Sequence, residues 1–415
     1  MAKNEESGDP MTDKQILREL AKQYMELACS PEQQAMNDRM RATNDLKQVR
    51  PPVLIDEIPW YQMDIDGQLL CRCQDERARW VEAHLRRGLF RRKHFRADTW
   101  LEPFLRISMH FSSTGCGWEA DEDDIRKTDD TNNIISHHYR DVLELEEDLE
   151  RFHMPRFSLD PQADQAAVDY YSDLLGDSMP VRLSGHGYLY FMPWDIIARL
   201  RGMEPILYDL YDRPEHLHAI MEKLCAAEKH KIDFLEANNL IDPMPGDLHC
   251  TSGLISGMAD SGLKATWFRG AAQGFGSVSP AMHEEFELRY IRPLAERFAY
   301  TYYGCCEPLD KKVDILRSIP NLRKVGVSPW ANVDVMAEQL RGDYVFSRKP
   351  NPAFVAVRTD PDHIRRETEE TVKACIRHGC PCDITLKDIS TVSHHPENLI
   401  VWAQTVSEVL DKYYG

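Results

Sequence analysis

Apolar positions along the chain follow two rhythms. Leu17, Leu20, Tyr24 and Leu27 recur at helical spacing, so Asp13 to Val49 reads as mostly helical, and Pro51-Pro52 ends it. The first dozen residues are polar, carry Gly8 and Pro10, and read as disordered. Val53-Leu54-Ile55, followed by Asp56, Glu57 and Pro59, reads as a buried strand with a polar end. Helices are expected over Asp75 to Lys93, Asp141 to Phe152 and Asp164 to Leu175. A strand follows at Val181 to Leu183, before the turn Ser184-Gly185-His186-Gly187. Leu217, Ile220, Met221, Leu224, Ile232 and Leu235 mark a long helix, and Leu240-Ile241 opens a short segment running to His249-Cys250. Beyond it, helices are expected over His283 to Phe298, Pro361 to His378 and Pro396 to Tyr413. Strands are expected at Ala299 to Tyr303, Leu322 to Val327, Asp343 to Phe346 and Asp383 to Leu386.

Short strands alternating with longer helices predict βα units and a parallel sheet. About eight such units fit between Arg50 and the end, the number a closed barrel needs. The expectation is a (β/α)8 TIM barrel over residues 50–415 with a helical extension over residues 1–49. A doubly wound open sheet has the same local signature. No Gly-x-Gly-x-x-Gly follows a strand and no Walker A loop occurs, so nucleotide binding has no support.

Composition narrows the classes. With 415 residues, 42% of them hydrophobic, the chain can bury a large core. A formal net charge of −18 argues against non-specific binding to nucleic acid or to an anionic membrane. The N-terminus lacks an apolar signal region, and no stretch approaches the roughly 18 apolar residues a membrane span needs, so a cytoplasmic location is the default expectation. Eleven scattered cysteines do not form a disulfide framework, and no zinc-finger spacing occurs among them.

Four stretches carry a resemblance. They are Ser184-Gly185-His186-Gly187 with Leu200-Arg201-Gly202; Asp212-Arg213-Pro214-Glu215-His216-Leu217-His218; Gly274 to Pro280 with Tyr290-Ile291-Arg292-Pro293-Leu294; and Asp383-Ile384-Thr385-Leu386-Lys387-Asp388. In this order they resemble landmarks of the uroporphyrinogen-decarboxylase-like superfamily. That resemblance implies a TIM barrel and, in several members, a homodimer. The decarboxylases carry an Arg-rich loop after the first strand that holds tetrapyrrole carboxylates. Here Asp56 and Glu57 stand in that place and would repel a polyanion. The resemblance therefore points to the cobamide-dependent methyltransferase branch, whose members bind zinc through a His-x-Cys and a second Cys after the last strand. The matching stretch here is Tyr303-Gly304-Cys305-Cys306-Glu307. A cysteine is kept, the histidine is not, and Lys387-Asp388-Ile389-Ser390 fills the last loop.

In a barrel, polar residues just past the strands carry the chemistry. The expected zinc ligands are Cys306, His249 and Glu307. Asp56, His186 and Asp388 are the acid–base candidates, and Glu57, Tyr303 and Lys387 the candidates for binding substrate or cofactor. As adjacent strand residues point to opposite faces, only one of Asp56 and Glu57 faces the site if the strand extends that far. Cys305 also reads as a packed thiol, and His394-His395 as a helix-start loop. The segment Gly246 to Gly276, with Asp247, His249 and Cys250 near its start, reads as a lid. The expected activity is transfer of a methyl group between a small methylated compound, such as a methyl ether, and a cobamide on a separate corrinoid protein. The cobamide motif Asp-x-His-x-x-Gly is absent. The alternatives are a metal-free decarboxylase or lyase of a non-porphyrin acid using Asp56, His186 and Asp388, and a non-catalytic partner of a corrinoid protein.

Overall fold

A computed structural model describes residues 11–125, 136–243 and 246–415. The expected disorder of the first residues lies, up to Pro10, outside the described part. Helices α1 (Asp13–Ala28) and α2 (Pro31–Asn44) form the N-terminal extension. Thr12 starts α1 with a capping box, its side chain accepting from the Gln15 amide while Gln15 reaches back.

Thirteen strands form among the described residues: β1 (Val53–Ile55), β2 (Leu105–Ser108), β3 (Phe111–Ser113), β4 (Asp121–Ile125), β5 (Ser136–Arg140), β6 (Phe157–Leu159), β7 (Val181–Ser184), β8 (Tyr188–Tyr190), β9 (Trp267–Gly270), β10 (Tyr300–Tyr303), β11 (Leu322–Val327), β12 (Val345–Arg348) and β13 (Cys382–Leu386). Seven make one all-parallel sheet in the order β1-β13-β12-β11-β10-β9-β8. β7 pairs with β2 in a separate parallel pair, and β3–β6 and β4–β5 are antiparallel pairs.

The expected α/β architecture with a parallel sheet is present. Eight-strand closure is not what the described ladders give: none joins β1 to β2. Asp98 takes that place, its amide donating to the Val53 carbonyl at 2.6 Å and its carboxylate accepting from the Val53 amide at 2.9 Å. Arg39 of α2 pairs with the same carboxylate at 2.9 Å. A short edge strand is thus capped by a side chain instead of being extended.

Two expected elements differ. Over Asp141 to Phe152 only a 3-10 turn forms, at Glu146–Arg151. Val142, Leu145, Leu149 and Phe152 keep helical spacing, but the start of the segment is tied elsewhere: Asp141 pairs with the Arg201 guanidinium at 3.0 Å and the Val142 amide donates to the Leu200 carbonyl at 2.8 Å. The lid expected over Gly246 to Gly276 is interrupted by β9, buried at all four residues in mid-sheet. Consecutive Trp267 and Phe268 fill both faces there, so the run has no strand alternation to read.

Helices such as Pro214–Ala237, Pro361–His378 and Glu397–Tyr414 bury apolar faces in the main core, while the sheet interior carries charge. Lys324 of β11 meets Asp383 of β13 at 2.7 Å, both fully buried. Thr251 and Ser347 complete the shell around that carboxylate at 2.9 and 2.6 Å.

Candidate functional site at the mouth of the sheet

The carboxyl ends of β1, β10 and β13 converge, and the loop 246–257 folds across them. One continuous hydrogen-bonded chain links the four segments. The Cys250 amide donates to Asp56 Oδ2 at 2.8 Å, and the Glu57 amide to Asp56 Oδ1 at 2.8 Å. The Asp388 amide donates to Glu57 Oε2 at 2.7 Å. Lys387 Nζ donates to Asp388 at 2.6 Å, to Cys306 Sγ at 3.2 Å and to Cys305 Sγ at 3.4 Å. The Cys305 amide closes the chain on Glu307 Oε2 at 3.1 Å.

Seven of the nine residues singled out from the sequence meet here: Asp56, Glu57, His249, Cys306, Glu307, Lys387 and Asp388. Two do not. Tyr303 points to the opposite face of β10, where its hydroxyl donates to Glu287 at 3.0 Å and lies 2.6 Å from His283. Alternation on the strand sends Tyr302, not Tyr303, toward the interior, where Arg269 lies 4.0 Å from its ring centroid. His186 lines a neighbouring cavity and meets the ring of Phe111 edge-on.

Among the expected zinc ligands, His249 is grouped differently. Ligand atoms of Asp56, His249 and Cys250 lie within 4.8 Å of one another, the one such group of three among the described residues. Cys306 and Glu307 sit farther along the hydrogen-bonded chain, with Glu307 Oε1 buried and without a partner. Glu57, His249, Cys250 and Asp388 hold φ of 51°, 49°, 65° and 56°, in the left-handed region. Such conformations away from glycine collect at functional sites.

Electrostatics follow from burial and these partners. Burial, then the charge of Asp56, pushes the Asp247 carboxyl up to about 7, against Arg91. Burial and then the Cys305 charge raise Glu307 to about 7. The Cys306 thiol donates to Cys305; this bond, against burial and helped by Arg269 and Lys387, holds the Cys305 thiol well below its usual range. Cys306 is raised in return. Against its own desolvation, Lys387 is held charged by Cys305 and Asp388. Burial and Arg269 lower His249, keeping its ring neutral and able to ligate.

The sequence offers Asp247, with His249 and Glu307, as a replacement metal ligand and sets Cys250 beside them without a role; adjacency in the loop is the signal for Cys250. Arg269 and Tyr190 were missed. Arg269 lies inside the unexpected strand β9, fully buried, with Nε and Nη2 unpartnered. Tyr190 ends β8 and meets the His249 ring edge-on at 5.4 Å.

The N-terminal extension holds this loop. Asn44 Nδ2 donates to the carbonyls of Ser252 and Leu254 at 2.9 and 2.8 Å, and Asp45 accepts from the Ser256 amide at 2.9 Å. No helix among the described residues is long and apolar enough to cross a membrane.

No family model and no curated protein matches the chain. Among solved structures, a methyltransferase from Methanosarcina mazei is similar over 92% of this chain and 99% of that one, at 12% identity and a TM-score of 0.48.

Proposed function

We propose that the chain is a zinc-dependent methyltransferase that moves a methyl group between a small methylated compound and a cobamide carried on a separate corrinoid protein. The observation that carries this reading is the Asp56, His249 and Cys250 group at the mouth, where a neutral imidazole, a thiol and a carboxylate come within 4.8 Å of one another. The motif order read from the sequence supplies the reaction class.

The donor set fits zinc. One nitrogen, one sulfur and one oxygen ligand make a three-protein-ligand site with a position open for substrate. Burial raises the Cys250 thiol well above its usual range, so zinc binding there would have to displace its proton. Zinc held there would act as a Lewis acid toward the methyl-bearing heteroatom. Asp56 fixes the Cys250 backbone while keeping oxygen lone pairs for a ligand. Lys387 and Asp388 hold the Cys305–Cys306 pair beside the centre and balance its charge. A cobamide-bearing partner and a homodimer belong to this reading.

Metal content by mass spectrometry, on protein purified without chelator, tests it. Near-stoichiometric zinc is expected in wild type and Cys306→Ala and is lost in Cys250→Ala, with zinc-dependent methyl exchange from methylcobalamin following the metal. Wild type with neither metal nor exchange overturns the reading. Zinc lost from Cys306→Ala but kept by Cys250→Ala moves the centre to the thiol pair.

A metal-free decarboxylase or lyase is the second reading. One observation favours it: His186 and Asp247 line the same cavity, within reach of one bound acid. Its activity would survive Cys250→Ala.

A further inference from the structure

A cavity of about 550 Å³ opens beside the turn between β7 and β8, and its walls have a definite chemistry. Trp100, Tyr188 and Tyr190 supply aromatic faces. Glycines make the floor, for two different reasons. A Cβ at Gly246 would run into the Trp100 indole, and one at Gly185 into the Leu240 backbone, so packing demands both. A Cβ at Gly187 would meet nothing within 4 Å, and the residue does not have positive φ. The fold does not require that glycine; open space lies above it.

Most of the rest of the lining is polar, the Glu102–Arg106 ion pair included. Tyr190, which touches the His249 ring, and Asp247 stand toward the proposed metal centre. His186 and Lys231 stand together at another edge, the lysine charge helping to keep His186 neutral. Flat apolar faces favour a ring over a flexible chain, and polar edges favour a ring with oxygen substituents, since a bare hydrocarbon would leave those groups unpaired. The volume falls in the range of small-molecule sites.

We propose that this cavity binds a planar, oxygen-substituted aromatic ring between Trp100 and the tyrosines, one polar edge toward His186 and Lys231 and the other toward Asp247 and Tyr190. As the identity of a methyl donor or its demethylated product, this inference rests on the methyltransferase reading; as a binding site it does not.

The test is calorimetric titration of the full chain with catechol and, separately, with cyclohexanediol, a ring of similar size without the flat π face. Catechol is expected to bind wild type saturably, at least about tenfold more tightly than cyclohexanediol. Gly187→Leu, which fills the open space, and Tyr188→Leu, which removes one aromatic wall, are each expected to weaken catechol by about tenfold or more. Thermal melts confirm folding, and if Gly187→Leu does not fold, Tyr188→Leu decides. No catechol binding, equal affinity for the two rings, or catechol affinity unchanged in the folded variants overturns the inference. The titration contains neither methyl donor nor cobamide, so its outcome is separate from that of methyl exchange. Ring binding without methyl transfer removes the enzyme reading and leaves the site; methyl transfer without ring binding does the reverse.

Discussion

Lys324→Met tests how the sheet interior holds the site. Lys324 and Asp383 face each other at 2.7 Å with side chains 1% and 3% exposed, and Lys324 also donates to Thr251 Oγ1 at 2.7 Å and to the Ser252 carbonyl at 3.2 Å. Removing the lysine takes away the cation in contact with the buried carboxylate and leaves Lys349 acting on it from farther off, at a cost of about 3–5 kcal/mol. Unfolding entropy of about 2.1 cal/mol/K per residue over 415 residues is roughly 0.9 kcal/mol/K, so the melting temperature should fall by about 3–6 °C. The sign of the pH dependence is fixed. In wild type the lysine, against burial, depresses Asp383, whose stabilisation is present above the unfolded carboxyl range and is lost as pH falls through the folded value. In the variant the same carboxyl, buried with only the more distant Lys349 charge, is raised relative to wild type and takes up a proton as pH falls from 8 toward 4. The gap between the two proteins should therefore narrow over that interval. Lys324→Met/Asp383→Leu should recover most of the loss, because it is the unpaired charge that costs. Scanning calorimetry across pH is the assay. A single variant melting within about 1 °C of wild type, or a gap that widens on acidification, would refute the reasoning.

Lys387→Met should raise the midpoint of the thiolate titration at Cys305 by about one pH unit or more, read by ultraviolet thiolate absorbance against Cys305→Ala as blank, because the ammonium lies 3.4 Å from that sulfur. Gly304→Ala should cost about 1–3 kcal/mol in thermal stability, since φ is +100° and a Cβ would sit 2.6 Å from Leu309 Cδ1. Asn44→Ala should cost about 1–2 kcal/mol and speed amide exchange around Ser256, by releasing the two carbonyls of the loop that Asn44 holds; exchange unchanged there would remove the extension's role.

Helix and strand periodicity made the α/β order readable, because most helices bury one face and most strands are short apolar runs between turns. Three features defeated it. Trp267-Phe268-Arg269 buries both faces of a strand with a charge inside, a pattern that looks like a loop between glycines. Asp98 closes the edge of β1 through a side-chain contact across 45 residues, which local patterning does not see. The strand-end rule singles out Cys306 and Glu307, whereas the three potential ligands that lie together join a strand-end carboxylate to a loop His-Cys 194 residues away, a proximity that local patterning does not see. At Gly304 the backbone passes in the left-handed region, and a Cβ would sit 2.6 Å from Leu309 Cδ1 and 3.3 Å from the Gly326 nitrogen, so the fold favours glycine there.

Of the ten described non-glycine residues with left-handed backbone, four, Glu57, His249, Cys250 and Asp388, lie at the mouth of the sheet, in a conformation that glycine would adopt at no steric cost. His249 gives the cleanest comparison, because among the described residues its ring makes one ring contact, edge-on with Tyr190. His249→Gly should relieve about 1 kcal/mol of backbone strain and give back a similar amount through the freedom of the unfolded chain. With both proteins stripped of metal, thermal stability should therefore stay within about 1 kcal/mol of wild type, and zinc added back should bind wild type alone. A melt lowered by more than about 2 kcal/mol would mean that the ring serves packing, and the loop conformation would then say nothing about ligation.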